Sequence, residues 1–122
     1  MDKNNIELIN NIGFWKSKIT ISPVEGGITN QNFLVNDGSR KYFVRIGDDI
    51  PEHLVFRSNE IQASNAASKI GVSPELLFHD KSIQVFNFID GKTLDSTDIK
   101  NNLEQITKLI KKVHSKMPDQ LV

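Results

Sequence analysis

The sequence predicts an α+β domain: a five-stranded antiparallel sheet, one helix packed on it, and further helices at the amino and carboxyl ends. Three observations lead there. Between Lys18 and Ile46, three strand-like segments are separated by glycine-containing turns. Two more apolar runs lie between Glu75 and Ile89. Two longer stretches, one around 56–70 and one around 99–113, place apolar residues at helical spacing.

Each element has its own justification. Ile6, Ile9 and Ile12 fall on one face of a short helix that Gly13 ends. Lys18 to Val24 alternates Ile19 and Ile21 with polar neighbours, as a strand with one buried face does, and Asn32 to Val35 reads as the next strand. Between the second and third strands, Asn36-Asp37-Gly38-Ser39 is a strong hairpin signal, because Asp-Gly readily supplies positive φ. Lys41 to Ile46 completes a three-stranded meander. Asp49, with Glu52 three residues on, predicts a helix start, with Pro51 at the second helical position and the helix running to about Lys69. Gly71 is its expected C-terminal cap. Glu75 to His79 and Ser82 to Ile89 form two further strands around a tight turn at Asp80-Lys81. After the connector Asp90-Gly91-Lys92, a helix capped by Ser96, Thr97 or Asp98 carries Ile99, Leu103, Ile106, Ile110 and Val113 and ends near His114 before Pro118.

Composition narrows the function classes. The 122 residues suffice for one modest core, and 38% hydrophobic with 25% charged residues is ordinary for a globular chain. Zero formal charge gives no field to recruit nucleic acid or an anionic membrane. No cysteine is present, which excludes disulfides, thiol catalysis and cysteine-based zinc sites. With neither a signal peptide nor a long apolar span in view, the sequence predicts a cytoplasmic protein.

The chemistry-bearing residues are few. Gly26 and Gly27 form a turn, and Thr29 and Asn30 follow with short polar side chains, so backbone N–H groups there could converge on phosphate oxygens. No Walker pattern follows. Arg45 lies on the third strand, and Glu60 interrupts the apolar stripe Phe56, Ala63, Ala67, Ile70 of the long helix. A carboxylate aimed at a sheet needs a cation. Arg57, one turn back, is one candidate; Arg45 is the other. An Arg45–Glu60 ion pair explains both residues, since an Arg fork can satisfy a carboxylate and a phosphate together. His79-Asp80 fits a β-turn, and His114 fits a helix C-terminus.

The run Gly26-Gly27-Ile28-Thr29-Asn30 with Phe33, then Tyr42-Phe43-Val44-Arg45-Ile46-Gly47, resembles the opening of choline/ethanolamine kinases and their aminoglycoside-phosphotransferase-like relatives. Ile70-Gly71-Val72-Ser73-Pro74-Glu75-Leu76-Leu77, then Phe86-Asn87-Phe88-Ile89-Asp90-Gly91-Lys92-Thr93-Leu94, is similar to that family's crossing into the interlobe hinge, and Leu109 to His114 resembles its leucine-rich helix ending in His. The resemblance implies a protein-kinase-like N-lobe with hinge over 1–92, then a connector and the first helix of a C-lobe over 93–122. It implies ATP or ADP as the bound nucleotide. Gly26, Gly27, Ile28, Thr29 and Asn30 would cover the phosphates, Arg45 would bind them, Glu60 would be its helix partner, and the backbone of Phe86, Asn87, Phe88 and Ile89 would recognise adenine. Ile21, Val44 and Leu77 are the expected walls of the purine slot.

Kinases of this kind continue into a helical lobe with a His-x-Asp…Asn catalytic loop and a metal-binding Asp. No segment here fits either, so no catalytic and no metal-binding residue is assigned. The expectation is the nucleotide-binding lobe of an ATP-dependent phosphotransferase, inactive alone, with Mg2+ and a choline- or ethanolamine-like acceptor engaged only when the missing lobe is supplied. The alternative is a non-catalytic nucleotide-binding or interaction module that pairs with a separately encoded C-lobe or with its own copy through 99–113.

Overall fold

The computed structural model describes residues 2–119. The chain runs α1 (Lys3–Asn10), β1 (Thr20–Val24), β2 (Gln31–Asn36), β3 (Lys41–Ile46), α2 (Arg57–Lys69), β4 (Leu76–Asp80), β5 (Ile83–Asn87), α3 (Ser96–Asn101) and α4 (Leu103–Lys116). One antiparallel sheet holds all five strands in the order β1-β2-β3-β5-β4. The chain leaves β3, forms α2, enters the far edge as β4, and hairpins back so that β5 fills the gap beside β3.

Alternation along the strands gives the sheet two unlike faces. One is the core: Phe33, Val35, Tyr42, Val44, Ile46, Ile83 and Val85 are buried there, and Ile9 of α1 docks against them. Each such side chain taken fully out of water is worth about 1.5–3 kcal/mol. Phe14 and Trp15 extend this layer, packing edge-on against Tyr42 with ring centroids 5.5 and 5.2 Å away. The Trp15 indole donates to the Ile9 carbonyl at 2.6 Å and so fixes the exit from α1.

The turns follow their residues. Gly38 has φ 92°, and the Asp37 carboxylate accepts from the backbone N–H groups of Ser39 and Arg40 at 3.0 and 2.8 Å. Gly71, at φ 80°, ends α2 in a Schellman motif: its N–H donates to Ser68 and that of Val72 to Ala67, both at 3.0 Å.

Two expectations are corrected. The long helix does not begin at Asp49. Pro51–His53 is a 3-10 turn, Leu54 adopts left-handed φ 57°, and reciprocal backbone bonds between Ile50 and Val55 close a small loop. Glu52 therefore forms no capping box, although Asp49 still receives the Arg57 backbone N–H at 2.7 Å and covers the true helix start. The final helix is broken at Asn102, and its cap is Asp95, which exchanges hydrogen bonds with Asp98 at 2.8 and 3.0 Å. That reciprocal pairing satisfies two amide donors where Ser96 or Thr97 would satisfy one. Among the described residues, no helix is long and apolar enough to cross a membrane.

Candidate functional site

The second face of the sheet is polar along one row and aromatic along the next. Register sets Val24, Asn32, Arg45, Gln84 and His79 abreast on β1, β2, β3, β5 and β4. The neighbouring row is Ser22, Leu34, Phe43 and Phe86. Helix α2 lies on this side. Its Ala63, Ser64 and Ala67, with Phe43, Arg45 and Phe86 of the sheet, wall a cavity of about 360 Å³ that Ser73, Pro74 and Met117 complete.

The β1–β2 loop stands at the edge of this face. Gly26 has φ 110°, a conformation that disfavours any side chain. Gly27 is required for a different reason: a Cβ there would collide with the carbonyl and side-chain oxygens of Asn30 and would come within 3.1 Å of the Asn32 amide nitrogen. The Ile28 side chain is 98% exposed at the tip, beside exposed Thr29 and half-buried Asn30. The loop is therefore a tight glycine turn with an unsupported tip, next in register to the polar row.

The expected Arg45–Glu60 ion pair is not formed. Glu60 takes the other candidate, with Arg57 Nη1 2.7 Å from its Oε1, while its Oε2 accepts from Gln84 Nε2 at 3.3 Å. The reason is saturation. Arg57 is only 4% exposed, and an Arg buried that deeply needs a carboxylate and several carbonyls. Its Nε donates to the Asp48 carbonyl at 2.9 Å and its Nη2 to the Thr29 carbonyl at 2.7 Å. The guanidinium also fits under Gly47, where a Cβ would stand 2.5 Å from Nη2. Arg57 thus ties the glycine loop, the end of β3 and the first turn of α2 to one point. Sequence reasoning saw Arg57 only as a surface neighbour of Glu60; the unused signal is Gly47, whose small size makes room for the guanidinium.

Arg45 consequently makes no ion pair among the described residues. Its guanidinium carbon lies 5.5 Å from the Phe86 ring centre, a cation–π arrangement, and its Nε is buried with no hydrogen-bond partner. A cation without an ion pair among the described residues, on the face that α2 partly covers and in register with Asn32 just after the glycine loop, is equipped to take an anion.

The segment expected to form the hinge is not uniform. Phe86 is buried on the face that α2 covers, Asn87 ends β5, and Ile89 is exposed. The backbone N–H of Asn87 already donates to the Glu75 carbonyl at 3.1 Å, and its side-chain oxygen accepts from Arg40, so this residue has no backbone N–H left for a ligand. Lys41 Nζ lies 5.9 Å from the Phe88 ring centre. The proposed purine walls are corrected. Val44 is wholly buried in the core layer, and Ile21 and Leu77 pack against that layer on the opposite face from Arg45. Strand parity is the cause: residues sharing the face of Arg45 lie two apart, which selects Phe43 on β3 and, across the ladder, Leu34 and Phe86. His79 and Asp80 are exposed at the end of β4, followed by Lys81 at φ 47°, as the turn reading expects, and His114 lies in the last turn of α4.

A five-stranded antiparallel sheet with one crossing helix, a glycine loop between its first strands and a cation on the third is the architecture of the N-lobe of a protein-kinase-like fold. The sequence profile of choline/ethanolamine kinases matches residues 21–119, and the chain belongs to that family. Of solved structures, an ethanolamine kinase of Plasmodium vivax superposes with a TM-score of 0.68 at 26% identity, over 83% of this chain and 28% of that one. A choline kinase from Cryptosporidium parvum Iowa II superposes with a TM-score of 0.69 over 97% of this chain and 37% of that one, and at 22% identity it shares the fold. The chain therefore spans well under half the length of these structures. No curated protein matches it.

Proposed function

We propose that the chain is the nucleotide-binding lobe of a kinase that transfers phosphate from ATP to the hydroxyl of choline, ethanolamine or a similar amino alcohol. The observation that carries this reading is Arg45: a cation without an ion-pair partner among the described residues, with a buried unmatched Nε, in register with Asn32 just after the glycine loop. In this reading the backbone of Gly26 to Asn30 covers the phosphates and Arg45 neutralises them. Glu60 acts at one remove, through Gln84 and Arg57. The backbone of Phe86, Phe88 and Ile89 meets the base, with Asn87 offering its carbonyl alone, and Leu34 and Phe43 supply apolar surface. Residues 1–92 are the lobe with its hinge, and 93–122 begin the second lobe.

Phosphoryl transfer is catalysed almost wholly by positioning and charge neutralisation. Among the described residues no cluster of three or more His, Asp or Glu side chains could hold a metal ion, so Mg2+ is assigned to no residue of this chain. On this reading the isolated chain is expected to be inert, because its sequence offers no His-x-Asp…Asn catalytic loop. Calorimetry with ATP should give binding that Arg45→Ala weakens by about tenfold or more, the scale of one charge-assisted contact. Equal affinities would remove the reading, and turnover of choline or ethanolamine by the pure chain would remove the claim of inertness.

A second reading is an interaction module that pairs with a separately encoded C-lobe. It is favoured by one observation: Ile99, Leu103, Leu109 and Ile110 are all exposed along α3 and α4. Restoration of activity on mixing with such a lobe distinguishes it.

A further inference from the structure

Three adjacent strands each place one unmatched polar atom in the same row: Asn32 Oδ1 on β2, Arg45 Nε on β3 and Gln84 Oε1 on β5. All three atoms are shielded from solvent, and none has a hydrogen-bond partner among the described residues. Leaving such groups unmatched is costly, about 1–3 kcal/mol each, so three side by side require an explanation. Their chemistry is complementary. Arg45 Nε is a donor, and it stands between two amide acceptors at cross-strand spacing of about 5 Å between Cβ atoms. Neither amide is disposed to turn over. Gln84 is 2% exposed and spends its Nε2 on Glu60, while the Asn32 nitrogen lies beside Gly27. The guanidinium, however, is drawn to the Phe86 ring.

We propose that Asn32 and Gln84 are positioning residues for Arg45. When an anionic phosphate chain enters, the guanidinium leaves Phe86. Its Nε–H is then shared between the two flanking amide oxygens as a three-centre hydrogen bond, and its outer N–H groups face the phosphates as a fork. A fork held at its base presents both outer donors in one plane, which favours a polyphosphate over a neutral ligand of the same size. This inference rests on the nucleotide reading and adds to it the pair that sets the direction of the cation.

The test uses the full chain with inorganic tripolyphosphate, ATP and adenosine as probes, measured by calorimetry. Asn32→Leu and Gln84→Met remove the acceptors at similar volume. Each should weaken tripolyphosphate and ATP by about three- to tenfold, less than a full hydrogen bond to a charged group because the other oxygen remains, while adenosine affinity stays unchanged. Asn32→Thr keeps a neutral oxygen acceptor and should restore polyphosphate binding toward the wild-type value. Variants that bind tripolyphosphate as the wild type does would overturn the inference and leave the nucleotide reading standing. Parallel losses for adenosine and ATP would show a merely structural role and overturn it as well. A wild-type chain that binds neither ATP nor tripolyphosphate would overturn both. Should Gln84→Met fail to fold, the Asn32 pair of variants decides alone.

Discussion

Arg57 and Glu60 face one another across one turn of α2, with 2.7 Å between guanidinium nitrogen and carboxylate oxygen, and the same guanidinium reaches back to the Thr29 carbonyl. The pair is therefore more than a helix-surface contact. It joins the first turn of the helix to the glycine loop, so the helix position and the loop position are set together.

Removing that cation should be expensive. Arg57→Met leaves Glu60 without its partner and deprives three oxygens of a donor; breaking a buried pair typically costs about 3–5 kcal/mol. The Glu60 side chain is 28% exposed and can rehydrate, so the expected loss is near the lower end, about 3 kcal/mol. Arg57→Lys keeps a charge for Glu60 but cannot span to Asp48 and Thr29 at once, and should fall between. Urea midpoints for the three chains measure this; a Met variant within experimental error of the wild type would show that Arg57 holds nothing.

Gly47→Ala tests the same contact from the other side. The added Cβ would meet Arg57 Nη2 at 2.5 Å, so the guanidinium must shift, at a cost of about 1–3 kcal/mol typical of overpacking. The same substitution made in an Arg57→Met background should cost distinctly less, because the colliding group is gone. That non-additivity is the diagnostic, and a double-mutant cycle that closes additively would place the strain elsewhere.

Most of the fold is legible in the residues because its signals are periodic. Lys41 to Ile46 reads as a strand from alternation alone, and Asp37-Gly38 and Gly71 mark their turns by the φ values they supply. The segments that escape have no period. Phe14 and Trp15 belong to no helix or strand yet pack on Tyr42, and Leu54 takes a left-handed conformation that a leucine does not advertise. The candidate site was legible as a set of residues and illegible as a set of pairs. Glu60 had two cations that obeyed local rules, Arg57 at i−3 and Arg45 across the helix–sheet interface, and the choice depended on which guanidinium was buried. Strand parity would have moved the expected apolar walls from Val44 to Phe43, since that rule needs only the position of Arg45.

The β2–β3 hairpin should loosen in acid. Asp37 has its carboxyl pKa held below the usual 3.8, first by the backbone N–H of Arg40 and then by that of Ser39. A carboxylate whose folded pKa is depressed contributes stability that is present above 3.8 and lost as the pH falls through its lower folded value. Asp98, lowered by the Asp95 backbone N–H and then by Lys92, acts in the same direction on the start of α3. Protection of the Ser39 and Arg40 amides, taken as exchange relative to the intrinsic rate at each pH, should therefore fall below about pH 4, near the ordinary carboxylate range. In Asp37→Asn the exchange should be faster at neutral pH and should lose that acid dependence; an unaltered acid dependence in the variant would assign it to another group.

The last expectation concerns the exposed face of α4. Leu103 is 58% exposed and Ile110 49%, so each leaves about half of its surface uncovered by this chain. Exchange of either for Asp should change the stability of the isolated chain by about 1 kcal/mol, roughly half the worth of full burial. Contact with a separately supplied C-lobe of the same family is a different matter, because there the two side chains would be taken out of water and a buried carboxylate would be left without a cation. Leu103→Asp and Ile110→Asp should then abolish co-elution with that lobe while thermal unfolding of the chain shifts only modestly. A large fall in the unfolding temperature of the chain alone would mean instead that the face packs on its own domain, and undiminished co-elution would place the lobe contact on another surface.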